Sequence, residues 1–376
     1  MRKNLSFMLL ITLVLILFIT PGILSGCGDE PAVEDEKTDK KEQKEAKEQD
    51  EKETEKKEQD KEQEKEQEKE VEIEEIDYEK VQPNELGEIM ILMYHDVRGE
   101  LGDWKTTKED FRDDMERLYE KDYRLVDLMD VVNGEIDIPA GTTPVVLTFD
   151  DGHTGQFDVI EENGEKVVDP DSAAGIILEL SEKYDDFTVA GNFYINSYPE
   201  PFSDRDNLGE KLEVLTDHGF SVGNHGYAHA RLDHLDTPEE VQEELGKMQK
   251  KVKEAFDGYK FDSLALAYGQ WPSEELHEYV FSGEYDGTTY EHKAVLNVSW
   301  SPEVSPFHHD FDPLDLERVK ANDGVDQEMD RWLDTYEESP EIRYISDGRT
   351  DTIAIPEDKE DMLNEGVIEK YEIITY

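Results

Sequence analysis

Val145-Val146-Leu147-Thr148-Phe149-Asp150-Asp151-Gly152-His153 is an almost wholly apolar run that stops on two adjacent carboxylates and a glycine. A short apolar stretch closed by a turn signal has the character of a strand buried on both faces, and such strands belong to parallel sheets. Further along stands His225-Gly226-Tyr227-Ala228-His229. One carboxylate and two imidazoles make a three-ligand metal set, and the second carboxylate is left over as a base. Three protein ligands leave an open position for water, and an ion that lowers the pKa of that water makes hydroxide at neutral pH. The two motifs together point to metal-assisted hydrolysis.

Outward from this strand, helix and strand signals alternate. Residues 88–95 form a second apolar run and read as a buried strand. Thr107 opens a helix with Phe111, Met115, Leu118 and Tyr119 on one face and Asp110 as capping partner. A helix over 172–184 turns Ile176, Ile177 and Leu180 inward and leads to a strand over 188–195. Residues 207–218 are helical, Gly219 caps that helix, and 220–223 are strand-like. Thr237 as N-cap and Pro238 at the first helical position open a long amphipathic helix to about Phe256. Strands follow over 264–268 and 293–298, and the end of the chain adds 342–345, 352–355 and 371–375. This alternation predicts a parallel sheet closed or nearly closed by crossover helices. Such a barrel places its chemistry at the carboxyl ends of its strands, and His95, Asp150, Asp151 and His225 all follow predicted strands. An open doubly wound sheet is disfavoured because no glycine-rich phosphate loop follows the first strand.

The N-terminus speaks about compartment. Arg2 and Lys3 precede an apolar stretch over residues 5–19 that is too short to span a membrane comfortably, and Leu24-Ser25-Gly26-Cys27 follows. This ending resembles the lipobox of bacterial lipoproteins, which implies a signal peptide over 1–26, lipidation of Cys27, and a mature protein anchored at the outer face of the cytoplasmic membrane. Cys27 is the single cysteine, so thiol chemistry and disulfides are excluded from the rest of the chain. Residues 27–81 are dominated by Glu, Lys, Gln and Asp and read as a charged tether, disordered or helical, with a reach of roughly 40 Å as a coil and roughly 80 Å as a helix. Residues 28–80 hold 25 acidic against 12 basic residues, a small part of the formal net charge of −57. The domain over 82–376 is therefore itself intensely acidic, which excludes nucleic acid as a partner and suits salty surroundings. A monomer is the expected state.

Thr148-Phe149-Asp150-Asp151-Gly152, the pair His225 and His229 behind Gly223-Asn224, and Leu92-Met93-Tyr94-His95-Asp96 together resemble the polysaccharide deacetylases, the NodB-homology group or carbohydrate esterase family 4. The likeness runs from about Ile89 to at least Trp300. It implies a distorted (β/α)7 barrel and a divalent metal, Zn2+ first, with Co2+, Ni2+ or Mn2+ as alternatives. It also implies removal of acetyl groups from an N-acetylated polysaccharide such as poly-N-acetylglucosamine, peptidoglycan or a chitin-like chain. Carried over by position, Asp151, His225 and His229 would bind the metal and Asp150 would be the catalytic base. The Tyr268-Gly269 turn resembles the segment that offers a backbone donor to the oxyanion. Neighbouring residues on an extended segment point to opposite sides, which agrees with separate roles for Asp150 and Asp151.

Three departures from the family pattern stand out. Gly226 replaces the Ser or Thr that would brace the histidine loop. The segment Leu264-Ala265-Leu266-Ala267-Tyr268-Gly269 lacks the Arg that steadies the base. The late Leu-x-His whose imidazole protonates the leaving amine is not visible after residue 300. His95, after the first strand, is the catalytic candidate for that gap. His153 reads as the end of the turn, His308 and His309 as a surface loop, and Trp271 and Trp300 as core packing or sugar-stacking residues. The competing expectation is a glycan-binding lipoprotein of the same fold that has lost turnover.

Overall fold

A computed structural model describes residues 76–376 apart from Pro199 and Arg205. The lipobox, Cys27 and all but the last few tether residues lie outside the described residues. Among the described residues seven strands run parallel in one ring, β1 (Met90–Tyr94), β2 (Thr143–Asp150), β3 (Asn192–Ile195), β4 (Ser221–Asn224), β5 (Ser263–Ala265), β6 (Ala294–Leu296) and β7 (Val319–Lys320), and an eighth short strand, Tyr123–Leu125, pairs parallel with the start of β2. Neighbours pair in chain order from β1 to β6, and β7 returns to β1 through Leu92 opposite Val319 and Met93 opposite Lys320. The seam between β6 and β7 is made by the segment leading into β7. Val295 N–H donates to the Pro313 carbonyl (2.9 Å), Leu316 N–H to that of Val295 (2.8 Å), and Asn297 N–H to that of Leu316 (2.9 Å). One segment thus bonds β6 with its first half and β1 with its second, which closes a distorted seven-stranded barrel.

All eight residues of β2 are buried, as are all five of β1. This is the pattern of strands covered on both faces, and each fully buried Val, Leu or Ile side chain contributes about 1.5–3 kcal/mol. The helices outside the ring form where caps and apolar stripes coincide. In α1 (Lys108–Glu120), Thr107 Oγ1 accepts the Asp110 N–H and donates to the Asp110 carboxylate, while Phe111, Met115 and Leu118 face inward. Helix α2 (Leu128–Asn133) is a short addition that the sequence reading passed over. Ser172 caps α3 (Ala173–Lys183), and α4 (Leu208–Asp217) ends at Gly219, whose φ is +88°. Helix α5 (Pro238–Ala255) opens on a full capping box between Thr237 and Glu240. Helix α6 (Glu328–Glu338) buries Met329, Leu333 and Tyr336 in a core shared with Leu92 of β1 and Val319 of β7.

The differences from the sequence reading are local. The strand expected over 188–195 begins at Asn192. The strand expected over 264–268 ends at Ala265, because Tyr268 turns to φ +59° within a 3-10 turn. Residues 342–345 make isolated bridges to Asn84 and Glu88 instead of a strand. Thr352–Ile355 and Glu372–Thr375 form a two-stranded sheet outside the ring.

Candidate active site

The carboxyl ends of the strands meet at a cavity of about 560 Å³ lined by His95, Asp150, Asp151, His153, His225, His229 and Tyr268 among others. Asp151 is the first residue after β2 and sits at φ +81°, which swings its carboxylate over the mouth. Its Oδ1 lies 3.6 Å from His225 Nε2 and 3.4 Å from His229 Nε2, and it accepts the Asn196 amide N–H at 3.0 Å. Ligands about 2.0–2.1 Å from a tetrahedral ion stand roughly 3.3 Å apart, so these three atoms fit a small divalent cation. The tautomer fits as well. His225 Nδ1 donates to the Ala265 carbonyl at 2.8 Å, which leaves the lone pair on Nε2 facing Asp151. Burial lowers the His229 pKa to about 4, so its ring is neutral and able to ligate at neutral pH. Burial alone would push the Asp151 carboxyl up, but the hydrogen bond from His153 and the surrounding imidazoles bring it well below the ordinary carboxylate range.

His153 does more than finish a turn. It lines the cavity, and its Nε2 stands 3.5 Å from the second oxygen, Asp151 Oδ2. His308 and His309 stack on each other away from the cavity lining, as expected of a surface loop. Trp271 packs on His277 and Phe281, whereas Trp300 lies beside Trp104.

Asp150, the last residue of β2, turns to the other side and is buried. Arg318, fully buried just before β7, grips it in a fork: Nη1 to Oδ1 at 2.8 Å and Nη2 to Oδ2 at 2.9 Å. The same guanidinium donates to the Asn297 carbonyl at 2.8 Å and to Thr148 Oγ1 at 3.2 Å, so its geometry is fixed from β2 and from the end of β6. Burial pushes the Asp150 carboxyl up, but Arg318, then His225 and His95, outweigh it and hold the pKa below its ordinary value. The arginine missing near Tyr268 is therefore supplied from the last strand. Gln156 ties this end of the barrel together by donating to the backbone carbonyls of both His95 and Asp150. His95 itself is half-buried, its buried Nδ1 has no hydrogen-bond partner among the described residues, and its ring lines the cavity. Burial lowers its pKa against the pull of Asp150 and Asp151.

The absent hydroxyl in the histidine loop also has a replacement. Glu244 reaches in from α5, and its Oε1 accepts the N–H groups of Ala228 (2.8 Å) and Ala230 (3.0 Å), the two residues flanking His229. Its carbonyl accepts the Tyr227 N–H at 2.9 Å. Gly226 N–H goes to Asn224 Oδ1 at 3.0 Å, and Asn224 is in turn held by the Leu245 carbonyl and the ring of buried His292. Gly226 has φ +78°, and a Cβ there would come within 2.6 Å of Glu244 Oε1. Glycine and glutamate are thus two halves of one brace. Tyr268 has its ring 4.6 Å from that of His229, and the residue is 57% exposed.

Residues 137–280 match the family model described as polysaccharide deacetylase, a span that contains both carboxylates, both histidines and Tyr268 but neither His95 nor Arg318. No curated protein sequence matches the chain. Among solved structures, a Bacillus anthracis protein named as a candidate polysaccharide deacetylase is 17% identical, with a TM-score of 0.47 over 64% of this chain and 67% of that one. A Bacillus cereus polysaccharide deacetylase gives 19%, 0.46, 65% and 68%. The Streptococcus pyogenes deacetylase PplD, in complex with acetate, gives 14%, 0.45, 65% and 97%. The residues of the match include Asp150, Asp151, His225 and His229, so the part of the chain over 137–280 is similar to the polysaccharide deacetylase family where it lines the cavity.

Proposed function

We propose that the protein is a metal-dependent hydrolase that removes N-acetyl groups from a cell-surface or extracellular glycan, with Asp151, His225 and His229 holding one divalent cation, Zn2+ before Co2+, Ni2+ or Mn2+. The observation that carries this reading is the convergence of those three donor atoms in the same cavity as the arginine-clamped Asp150. A cation bound there would polarise the acetyl carbonyl and make a water acidic enough to attack it.

Asp150 takes a proton from the attacking water. Arg318 keeps that carboxylate ionised at rest and fixes the direction of its lone pairs. His95, held neutral by burial, passes the proton taken by Asp150 to the leaving nitrogen. The C–N bond breaks, releasing acetate and leaving an amine on the sugar. Tyr268 closes the wall beside His229, and its turn supplies a donor to the developing oxyanion. His153 orients Asp151 through the oxygen that faces away from the histidines. Two absences favour a binding-only protein, the base-steadying arginine and the late acid histidine; Arg318 answers the first and His95 is our candidate for the second.

The product amine is cationic at neutral pH, and a chain with a net charge of −57 does not repel it. We also infer, from residues 1–81 alone, that the catalytic domain works outside the cytoplasmic membrane on a tether anchored through lipid at Cys27. The test is acetate release from N-acetylated chitooligosaccharides, poly-N-acetylglucosamine and peptidoglycan, before and after chelation and metal add-back. Release from at least one substrate, lost with chelator and restored by metal, is expected. Glycan binding without acetate from any of them would overturn the enzyme reading.

A further inference from the structure

Between β5 and β6 the chain leaves the ring in an excursion that the proposed chemistry does not touch, a short helix, His277–Phe281, and a hairpin of Ser282–Tyr285 with Thr288–Glu291. His292 follows the hairpin and is buried, with 3% of its surface exposed. Its backbone N–H donates to the Phe281 carbonyl at 2.7 Å. Its Nδ1 stands 2.7 Å from the Val280 carbonyl, which only accepts, so Nδ1 carries the ring hydrogen and Nε2 keeps a lone pair. Burial lowers the pKa of the ring to about 4 against the pull of that carbonyl, so at neutral pH it is uncharged.

The lone pair faces Asn224, the fully buried last residue of β4 and the chain neighbour of His225. One hydrogen of the Asn224 amide goes to His292 Nε2 at 3.2 Å and the other to the Leu245 carbonyl at 3.2 Å, which leaves Oδ1 for the Gly226 N–H at 3.0 Å. Flipping the amide would set its oxygen against two acceptors and its hydrogens against an N–H, so a single orientation is allowed. That orientation holds the turn between His225 and His229. The excursion also reaches α5, where a Cβ on Gly246 would lie 2.6 Å from Tyr285 Cβ and 3.2 Å from the Tyr290 ring. Three successive residues of α5 thus share one task. Glu244 holds the amides around His229, Leu245 holds Asn224, and Gly246 seats the hairpin that leads into His292.

We propose that His292 is a positioning residue for the metal centre: as a neutral acceptor it fixes the Asn224 amide, and through that amide the turn that aims His225 and His229 at Asp151. This rests on the reading of those three residues as metal ligands. Groups behind the ligands set their direction, and a network whose every donor and acceptor is matched holds a single geometry. A histidine that only fills the core makes the opposite demand on substitution. Phe keeps the ring and loses the acceptor, whereas Gln loses the ring and offers an amide oxygen in the place of Nε2.

The experiment titrates Zn2+ calorimetrically into the metal-stripped full-length protein, His292→Phe and His292→Gln, with Asp151→Ala marking binding elsewhere. Affinity should fall about tenfold in His292→Phe and stay within about threefold of the intact protein in His292→Gln. Hydrogen exchange of the stripped proteins reads the turn without any ion: protection of the Gly226 amide should drop about two- to tenfold in His292→Phe and return in His292→Gln. Phe as good as the intact protein, or Gln as damaging as Phe, in either measurement would overturn the proposal. Should a His292 variant not fold, Asn224→Ala removes the same link from the other side, and unchanged affinity and protection there overturn it equally. If the intact protein takes up Zn2+ no better than Asp151→Ala, the metal reading itself fails and the proposal falls with it. Zn2+ bound by the intact protein and equally by His292→Phe sinks the proposal alone.

Discussion

Strand β2 has buried carboxylates at both ends, and the two ends hold them in opposite states of charge. At the amino end, Thr143 Oγ1 donates to the Tyr344 carbonyl, and the Tyr344 hydroxyl donates to Glu85. Glu85 also accepts the Ala354 N–H at 2.7 Å and lies near the buried Asp347. Burial first, then Asp347, push its pKa up to about 8. At the carboxyl end, Asp150 is as deeply buried, yet Arg318 brings its pKa below the ordinary value. Amide and hydroxyl donors suffice for a neutral acid that serves the fold. A buried carboxylate that stays ionised at neutral pH needs a guanidinium, and Arg318, just before β7, provides it.

The sharpest way to break this contrast is Arg318→Met, which leaves a buried carboxylate without its ion-pair partner. Acetate release should fall by at least about a hundredfold, and urea unfolding should show a loss of about 3–5 kcal/mol. Near-normal activity in that variant would mean that Asp150 does not depend on the pair. Glu244 sharpens the comparison from the other side, because it is a third buried carboxylate that works through backbone amides, here those around His229. Zn2+ affinity of metal-stripped Glu244→Ala, measured by calorimetry, should drop about 10- to 100-fold, with most of it restored in Glu244→Gln, whose amide oxygen can accept the same two bonds.

The smallest effect belongs to Glu85. Its folded pKa lies above the ordinary 4.5, so the stability it contributes is fully present below that pH and is lost as the pH rises through about 8. Thermal melts of Glu85→Gln should therefore change less between these two pH values than those of the unsubstituted protein. An equal pH slope in the two would show that Glu85 is ionised in the fold.

Much of the barrel could be read in advance because its signals are local. The apolar run ending at Asp150, the caps at Thr107, Ser172 and Thr237, and the paired histidines each lie within a few residues of the element they specify. What escaped depends on contacts between distant segments. Residues 316–320, Leu-Glu-Arg-Val-Lys, carry three charged side chains in five positions, yet Arg318 and Lys320 are both buried because Asp150 on one side and Asp103, Asp323 and Asp326 on the other take up their charge. Nothing within that stretch announces its partners. Glu244 escaped for the same reason. On its helix it reads as one more solvated acid, and only the approach of the Gly226 loop gives it a task. Ser or Thr is absent at Gly226 and Arg is absent near Tyr268, and the residues that stand in for them lie 18 and about 50 positions away, respectively.

The central claim is that one cation, caught by Asp151, His225 and His229, drives acetyl removal. Its most direct test is to strip the protein of metal, add Zn2+ in measured steps, and follow acetate release from an N-acetylated oligosaccharide. The account predicts a rate that climbs from near zero and levels off at one equivalent, with no rise in Asp151→Ala. Acetate released equally well by the stripped protein, or a full response in Asp151→Ala, would contradict it.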